Sequence, residues 1–266
     1  MYENKIFHED CLIGMNRIPE GVIDLVVCDL PYGTTNLEWD TIIPFEPLWL
    51  QYKRICKPNA AILLFSAQPF TTDLINSNRK MFRYEIIWEK TNAAGFLDAR
   101  RKPLKAHENI CVFYTKQPIY NPIKTYIKET YRKRKQTGVA KQYNETRGET
   151  IYENNGTRFP RDVVKFSNYS DTGFCGKGNH KHPTQKPVAL LEYLINTYSN
   201  EGDLVLDNCM GSGTTAVAAI NTNRRFVGFE TNNEYFDYAN DRINAAIYGD
   251  CGHYSIFIDK NQLQLF

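Results

Sequence analysis

The chain lacks the segments that mark membrane and secreted proteins. Its longest apolar run, AAILLF, is far too short to span a bilayer, and its start, MYENKIFHED, has no basic stretch followed by apolar residues. The seven cysteines are scattered, odd in number and never spaced as Cys-x-x-Cys. We therefore expect a cytoplasmic protein with reduced thiols, without a membrane span or a disulfide framework.

Common metal and phosphate motifs are missing as well. Cys175, His180 and His182 lie close together in the sequence but match no common zinc-ligand spacing, so no metal is expected. There is no Gly-Lys-Ser/Thr phosphate loop, and the glycines do not form the three-glycine dinucleotide fingerprint. A nucleoside triphosphate or a dinucleotide is therefore not indicated.

What the chain does contain is an alternation of apolar, strand-like runs with helical patterns. IDLVVCD, AAILLFS, DLVLDNC and RFVGFE have the apolar character of buried strands, whereas FEPLWLQYKRIC and KPVALLEYLINTYS have helical spacing. This alternation predicts an α/β fold with a mostly parallel sheet. A non-helical stretch joins YEIIWEK to NICVFYT, so we expect one of these two strands to be antiparallel.

The texture changes between residues 117 and 181. Residues 124–165 contain 11 basic and 5 acidic side chains, a net charge of +6, whereas the whole chain carries only +2. Interleaved tyrosines favour nucleic-acid contact over a merely solvated face. We expect phosphate contacts from the consecutive residues Arg132, Lys133, Arg134 and Lys135. The predicted organisation is an α/β half at 1–116, an insert at 117–181 and a second α/β half at 182–266.

LVLDNCMGSGTTAVAAI predicts a strand, a glycine turn and the start of a helix. Gly211 and Gly213 allow close backbone approach, and the helix N-terminus offers N–H groups to an anion. Asp207 ends the strand before the turn. Glu230 ends the next strand, where an acidic residue typically binds ribose hydroxyls. A nucleoside cofactor without a pyrophosphate is predicted, and S-adenosylmethionine fits.

Four motifs follow one another in an informative order: HEDC at 8–11, DLPY at 29–32, HPTQKP at 182–187 and DNCMGSGTT at 207–215. Together they resemble the β group of amino-group DNA methyltransferases, which methylate N6 of adenine or N4 of cytosine. The resemblance covers nearly the whole chain except the basic insert. It implies a circularly permuted methyltransferase (Rossmann-like) fold, with a mixed, mostly parallel twisted sheet and an inserted target-recognition region.

The same resemblance implies which residues form the site. The catalytic set is Asp29, Leu30, Pro31 and Tyr32, in which Leu30 stands where the family usually has proline. Contacts to S-adenosylmethionine, which becomes S-adenosylhomocysteine, are implied for Asp10, Cys11, Asp29, Thr184, Lys186, Asp207, Gly211, Gly213, Thr214 and Glu230.

An exocyclic amine is a poor nucleophile because its lone pair is delocalised into the ring. Acceptors for both N–H groups help by localising that lone pair and aiming it at the methyl group. Asp29 is one acceptor and, by analogy, the main-chain carbonyl of Leu30 is the other, with Pro31 favouring an extended Leu30. Tyr32 would stack on the target base, which must leave the duplex to be reached. Because Asp heads the motif, we expect N6 of adenine in double-stranded DNA.

Other functions are weighed against this interpretation. The imperfect relation between motif and base keeps N4 of cytosine as the alternative, and RNA is a more distant substrate. Intact Asp29, Tyr32, Gly211 and Gly213 argue against an inactive nucleic-acid-binding module, and an oxidoreductase would leave DLPY unexplained. No Pro-Cys dipeptide supplies the nucleophile of C5-cytosine enzymes. The sequence indicates neither the recognition site, nor a paired restriction enzyme, nor whether the chain is a monomer or a homodimer.

Overall fold

The computed structural model describes residues 2–35, 40–126, 156–168 and 185–248, together with the backbone of 134–136 and 150–152. The chain divides into two compact units. The first contains the described residues up to Asn121 and from Asp162 onward, and the second lies within Pro122–Arg161. Among all the described residues, no helix has the length and apolar character needed to cross a membrane.

Eight strands of the first unit form one mixed sheet. They are β1 (Lys5–His8), β2 (Ile23–Asp29), β3 (Cys56–Ser66), β4 (Phe82–Ala94), β5 (Lys105–Phe113), β10 (Val163–Phe166), β11 (Leu204–Asp207) and β12 (Arg225–Glu230), in the spatial order β1-β12-β11-β2-β3-β5-β4-β10. In the second unit, β6 (Thr125–Tyr126) pairs with β9 (Thr157–Arg158), and β7 (Arg134–Gln136) pairs with β8 (Thr150–Tyr152).

Helices cover both faces of the large sheet. They are α1 (Cys11–Gly14), α2 (Phe45–Ile55), α3 (Phe70–Ser77), α4 (Val188–Tyr198), α5 (Thr214–Asn221) and α6 (Asn233–Tyr248). Buried side chains of α1, α2 and α3 belong to one core, and those of α4, α5 and α6 belong to the other. The fold is therefore the layered α/β architecture that the sequence predicts.

Strand β2 shows why its sequence is continuously apolar. Leu25 and Val27 belong to the core with α4, α5 and α6, whereas Val26 and Cys28 belong to the core with α1, α2 and α3. Side chains alternate between the two faces of a strand, so a strand covered on both faces needs apolar residues at every position.

The pairing in the sheet shows the direction of each strand and assigns part of the predicted insert to the sheet. Only β5 runs antiparallel to its neighbours within this sheet, which confirms that one of the two strands YEIIWEK and NICVFYT is antiparallel and shows that it is NICVFYT. Strand β10 pairs in parallel with β4, so Val163–Phe166 extend the sheet, although the sequence assigned these residues to an insert at 117–181. Its four residues, VVKF, form a partly exposed edge strand. Because this apolar pattern is short and has charged neighbours, the sequence alone does not predict a strand here.

The strand ends determine where a ligand can bind. The parallel strands β2, β11 and β12 finish at Asp29, Asp207 and Glu230, and β3 finishes beside them at Ser66. The carboxyl ends of parallel strands meet at one edge of the sheet, where open α/β folds bind their ligands.

Candidate active site

A cavity of about 460 Å³ lies at this edge of the sheet. It is lined by all four of the sequence-predicted catalytic residues, Asp29, Leu30, Pro31 and Tyr32. The predicted cofactor residues that also line it are Asp10, Cys11, Lys186, Asp207, Gly211, Thr214 and Glu230. The fold thus brings together segments that are up to 220 residues apart in the chain, as Asp10 and Glu230 are.

Asp29 projects from the end of β2 with both oxygens engaged. Its Oδ1 accepts a hydrogen bond of 2.7 Å from the Tyr32 hydroxyl, and its Oδ2 is paired with the ammonium of Lys186. An ionised carboxylate offers about four acceptor positions, so these two partners leave acceptor capacity for a substrate amine. Burial raises the pKa of Asp29, and the neighbouring Lys186 charge opposes that rise.

Lys186 is shared by two carboxylates. Besides Asp29, its Nζ lies 3.4 Å from Oε2 of Glu108, whose Oε1 is paired with Lys90. Burial would lower the pKa of Lys186, but the two carboxylates outweigh it and raise that pKa. Burial would likewise raise the pKa of Glu108, and the two ammonium groups lower it instead. The four side chains form a chain of alternating charge that is neutral as a whole.

Tyr32 is held from two sides. Its hydroxyl donates to Asp29, and its ring stacks on Phe70 of α3 with 5.1 Å between ring centroids. Burial raises the pKa of Tyr32 well above its usual value, and the charge of Asp29 adds to this effect. The hydroxyl therefore stays protonated and continues to donate to Asp29 across the whole physiological range.

Asp40 organises the loop that follows the DLPY motif. Its carboxylate accepts hydrogen bonds of 2.7–2.9 Å from four backbone N–H groups and from the hydroxyl of Thr35. The four N–H groups belong to Tyr32, Gly33, Thr34 and Thr35. Burial would raise the pKa of Asp40, but these hydrogen bonds outweigh it and lower that pKa. Asp40 thus fixes the backbone directly after Asp29.

The acidic residues at the ends of β11 and β12 hold the glycine turn. Asp207 accepts from the Thr215 hydroxyl at 2.6 Å and from the N–H of Cys209 at 3.0 Å, and burial raises its pKa to about 6. Glu230 accepts from the N–H groups of Gly211 at 2.7 Å and Asn232 at 2.8 Å. Each Glu230 oxygen retains acceptor capacity, which suits the hydroxyls of a ribose.

Gly213 lies where the glycine turn meets helix α6. It does not line the cavity, and a Cβ at this position would lie 2.9 Å from the Cβ of Ala239 in α6. Its backbone has a φ of 79°, which few residues other than glycine adopt. The structure thus gives a packing reason for glycine at this position, because the missing side chain lets α6 pack against the turn.

The HEDC segment also faces the cavity. Asp10 caps helix α1 by accepting from the N–H groups of Leu12 and Ile13 at 2.8 and 3.2 Å. The Cys11 thiol is buried beside Asn208, whose Nδ2 lies 3.7 Å from its Sγ. The five cysteines within the described residues are unbridged, as expected for reduced thiols.

The cavity has the charge that S-adenosylmethionine needs. The described residues that line it include seven carboxylates, from Glu9, Asp10, Asp29, Asp40, Glu108, Asp207 and Glu230, and one ammonium, from Lys186. S-adenosylmethionine carries a sulfonium and an ammonium against a single carboxylate, so its net charge of about +1 is attracted here. In the same part of the chain, no group of His, Cys, Asp or Glu is arranged to hold a metal ion.

Several predicted residues lie outside the described ranges. They are Thr184, Arg132 and Lys133, together with Cys175, His180 and His182. The backbones of Arg134 and Lys135 form part of β7.

The sequence also missed three residues that build the site. They are Asp40, Glu108 and Arg242, the last of which donates from α6 to Ser212 and to the Thr214 hydroxyl at 2.9 Å. A carboxylate in a strand, just before the apolar run ICVF, is the signal that marks Glu108.

Comparison with known sequences agrees with this geometry. A family model for N6/N4 DNA methylases matches residues 23–241. The type II methyltransferase M.HpaI of Haemophilus parainfluenzae is 29% identical over 260 residues, covering 93% of this chain and 76% of its own. The DNA adenine methyltransferase YhdJ of Escherichia coli K12 is 26% identical over 262 residues, covering 94% and 84%.

Solved structures show the same fold. The M1.HpyAVI–SAM complex superposes with a TM-score of 0.59 at 24% identity, over 90% of this chain and 98% of the other. The cytosine-N4-specific PvuII DNA methyltransferase has a TM-score of 0.61 at 16% identity, over 92% and 93%.

Proposed function

The chain belongs to the N6/N4 family of DNA methylases, and from this premise we propose that it transfers a methyl group from S-adenosylmethionine to N6 of adenine in double-stranded DNA. The observation that carries the proposal is the Asp29 carboxylate, which heads the DLPY motif and lines the cavity with acceptor capacity to spare.

Asp29 and the Leu30 carbonyl activate the target amine. Each accepts one N–H of the amino group, so that the nitrogen lone pair is localised and directed towards the methyl group. The amino nitrogen must lose a proton once it has gained a methyl group. The Asp29 carboxylate, which has acceptor capacity beyond its bonds to Lys186 and Tyr32, receives it. Tyr32, held by Phe70 and Asp29, presents its ring to the extruded base.

The cofactor is assigned to the opposite part of the cavity. When bound, S-adenosylmethionine supplies an electrophilic methyl group and leaves as S-adenosylhomocysteine. Glu230 accepts from the ribose hydroxyls, and Asp10 and Cys11 contact the adenine. The glycine turn at Gly211 and Thr214 lies beside the methionine end. Lys186 acts on Asp29 rather than directly on the cofactor.

Two observations bear on the choice of base. An aspartate heads the motif, and YhdJ, an adenine methyltransferase by name, aligns over 94% of this chain, so we propose adenine. The fold of the cytosine-N4-specific PvuII enzyme keeps cytosine as the alternative, since both bases present an amine beside a ring nitrogen. The type II methyltransferases among the relatives support a role in a restriction–modification system.

Long-read sequencing of DNA from a host without methyltransferases of its own tests this proposal. Expression of the chain is expected to place N6-methyladenine within one short sequence motif, with no such signal from the empty vector. N4-methylcytosine would replace adenine by the alternative base. Unmodified DNA, despite abundant folded protein, would contradict the proposed function altogether.

A further inference from the structure

The connection between β4 and β5 carries two large apolar side chains at its tip. Phe96 is 79% exposed and Leu97 is 96% exposed, and Leu104 on the returning side is 43% exposed. The core accommodates most other residues of this kind, and these two are the most exposed large hydrophobic side chains among the described residues. Contiguous exposed apolar groups mark surfaces that bind a partner.

The tip is a formed turn that holds these side chains outward. A 3₁₀ turn, Phe96–Asp98, follows Gly95, whose φ of 89° lets the chain reverse at this point. Backbone hydrogen bonds of 2.8–3.1 Å close the turn. The stem is fixed by Asn168, whose side chain both accepts from and donates to the backbone of Asn92, at 3.0 and 3.2 Å.

The flank of the tip is strongly basic. Residues 91–107 contain four cationic side chains, Arg100, Arg101, Lys102 and Lys105, against the single acid Asp98. Every residue in this range is exposed except Asp98, which is half-buried and ion-paired with Lys102 at 3.3 Å. Apolar side chains beside a cluster of cations are suited to a polyanion that also offers apolar faces, and DNA is both.

The tip stands above the candidate active site. Lys90 lies in β4 and Glu108 in β5, and both belong to the chain of alternating charges that ends at Asp29. Extended strands rise about 3.3 Å per residue, so the three residues of β5 from Glu108 to Lys105, which pairs with Ala94, carry the tip about 10 Å beyond that level. DNA whose target base reaches Asp29 would therefore meet the tip.

We propose that residues 95–98 form a wedge that enters the duplex beside the target base, with Phe96 and Leu97 filling the space left when that base is extruded. Arg100, Arg101 and Lys105 hold the neighbouring phosphates. Apolar side chains inserted between base steps are an established way for proteins to unstack DNA. The inference rests on the proposed function, because a wedge of this kind serves an enzyme that extrudes a base.

The double variant Phe96→Ala/Leu97→Ala tests the wedge. Both side chains are exposed, so their removal opens no cavity, and the melting temperature and S-adenosylmethionine affinity are expected to be unchanged. The substrates are two DNA duplexes that contain the methylation motif found by sequencing. One is fully paired, and the other has the target base opposite an abasic site. On the paired duplex we expect kcat/KM to fall about tenfold or more, the size of losing one stacked side chain.

On the duplex with the abasic site, the target base is already unpaired, so the variant is expected to keep a rate close to wild type. Leu50→Ala, which removes another exposed leucine from α2, should match wild type on both duplexes. A wild-type rate for the double variant on the paired duplex, or equal losses on both duplexes, would overturn the wedge while leaving the methyltransferase intact. If the wild-type chain methylates neither duplex, the proposed function fails and the wedge falls with it.

Discussion

Replacing Lys186 with methionine is expected to destabilise the protein through Asp29. Methionine preserves most of the apolar stem but leaves the Asp29 carboxylate without a cation, whereas Glu108 keeps Lys90. Removing one partner of a buried ion pair costs about 3–5 kcal/mol. The side chain of Lys186 is 9% exposed and that of Asp29 is 26% exposed, so we expect the lower end, about 3 kcal/mol.

A double-mutant cycle isolates this interaction. Asp29→Asn leaves Lys186 facing Glu108 at 3.4 Å, and Asp29→Asn/Lys186→Met leaves every remaining charge of the group paired. The double variant should therefore be more stable than Lys186→Met alone, with a coupling energy of about 2 kcal/mol. The free energy of unfolding in urea measures each corner of the cycle. A coupling energy below about 0.5 kcal/mol would refute the reasoning.

The pH dependence provides a second reading of the same network. Without Lys186, the pKa of Asp29 rises further, so the destabilisation should be largest at high pH and should shrink as falling pH protonates Asp29. Glu108 acts in the opposite sense, because its charge raises the pKa of Asp29. In Glu108→Gln the acid limb of the rate profile should therefore move to lower pH. A shift in the other direction would contradict the network.

Three further predictions concern the loop, the cofactor and the insert. Asp40→Asn replaces an acceptor of backbone N–H groups by an amide donor, and should lower stability by about 2 kcal/mol in urea unfolding and reduce kcat; unchanged kcat and stability would disprove the loop's dependence on it. Glu230→Gln should weaken S-adenosylmethionine binding by about tenfold in calorimetry. The control Glu234→Gln, in the first turn of α6, should leave the affinity unchanged, and equal affinities of the two variants would remove Glu230 from the ribose site. Replacing the four consecutive basic residues at 132–135 with glutamine should reduce the slope of log affinity against log salt by about 2–4, and an unchanged slope would exclude them from DNA contact. These residues are Arg132, Lys133, Arg134 and Lys135.

Much of the fold follows from local patterns in the sequence. Strand β2 is apolar at successive positions because helices cover both faces of the sheet, and DLPY follows directly from its end. An antiparallel strand among β4 and β5 was predictable because no α-helix intervenes between them, although the sequence did not say which of the two it would be. Strand β10 was not, since four residues at a sheet edge depend on pairing with β4 more than on their own pattern.

The remaining parts of the site depend on contacts that are distant in sequence. Lys186 reaches Asp29 across 157 positions, and nothing in HPTQKP indicates that its ammonium would be shared with Glu108. Gly213 resembles a cofactor glycine in the motif, yet its need for glycine comes from Ala239 of a helix further along the chain. Asp40 follows the catalytic motif closely, but only the folded loop shows that its carboxylate gathers four N–H groups.

Transfer of a deuterated methyl group from S-adenosylmethionine to DNA, followed by mass spectrometry of the nucleosides, tests the central claim most directly. Wild-type protein is expected to yield labelled N6-methyladenine. Asp29→Ala should lose nearly all transfer while its S-adenosylmethionine affinity weakens only modestly, because Asp29 acts on the amine. Labelled N4-methylcytosine would contradict the choice of base, and a variant that retains more than about a tenth of the wild-type rate would contradict the role of Asp29, since such a loss amounts to less than about 1.4 kcal/mol of transition-state stabilisation.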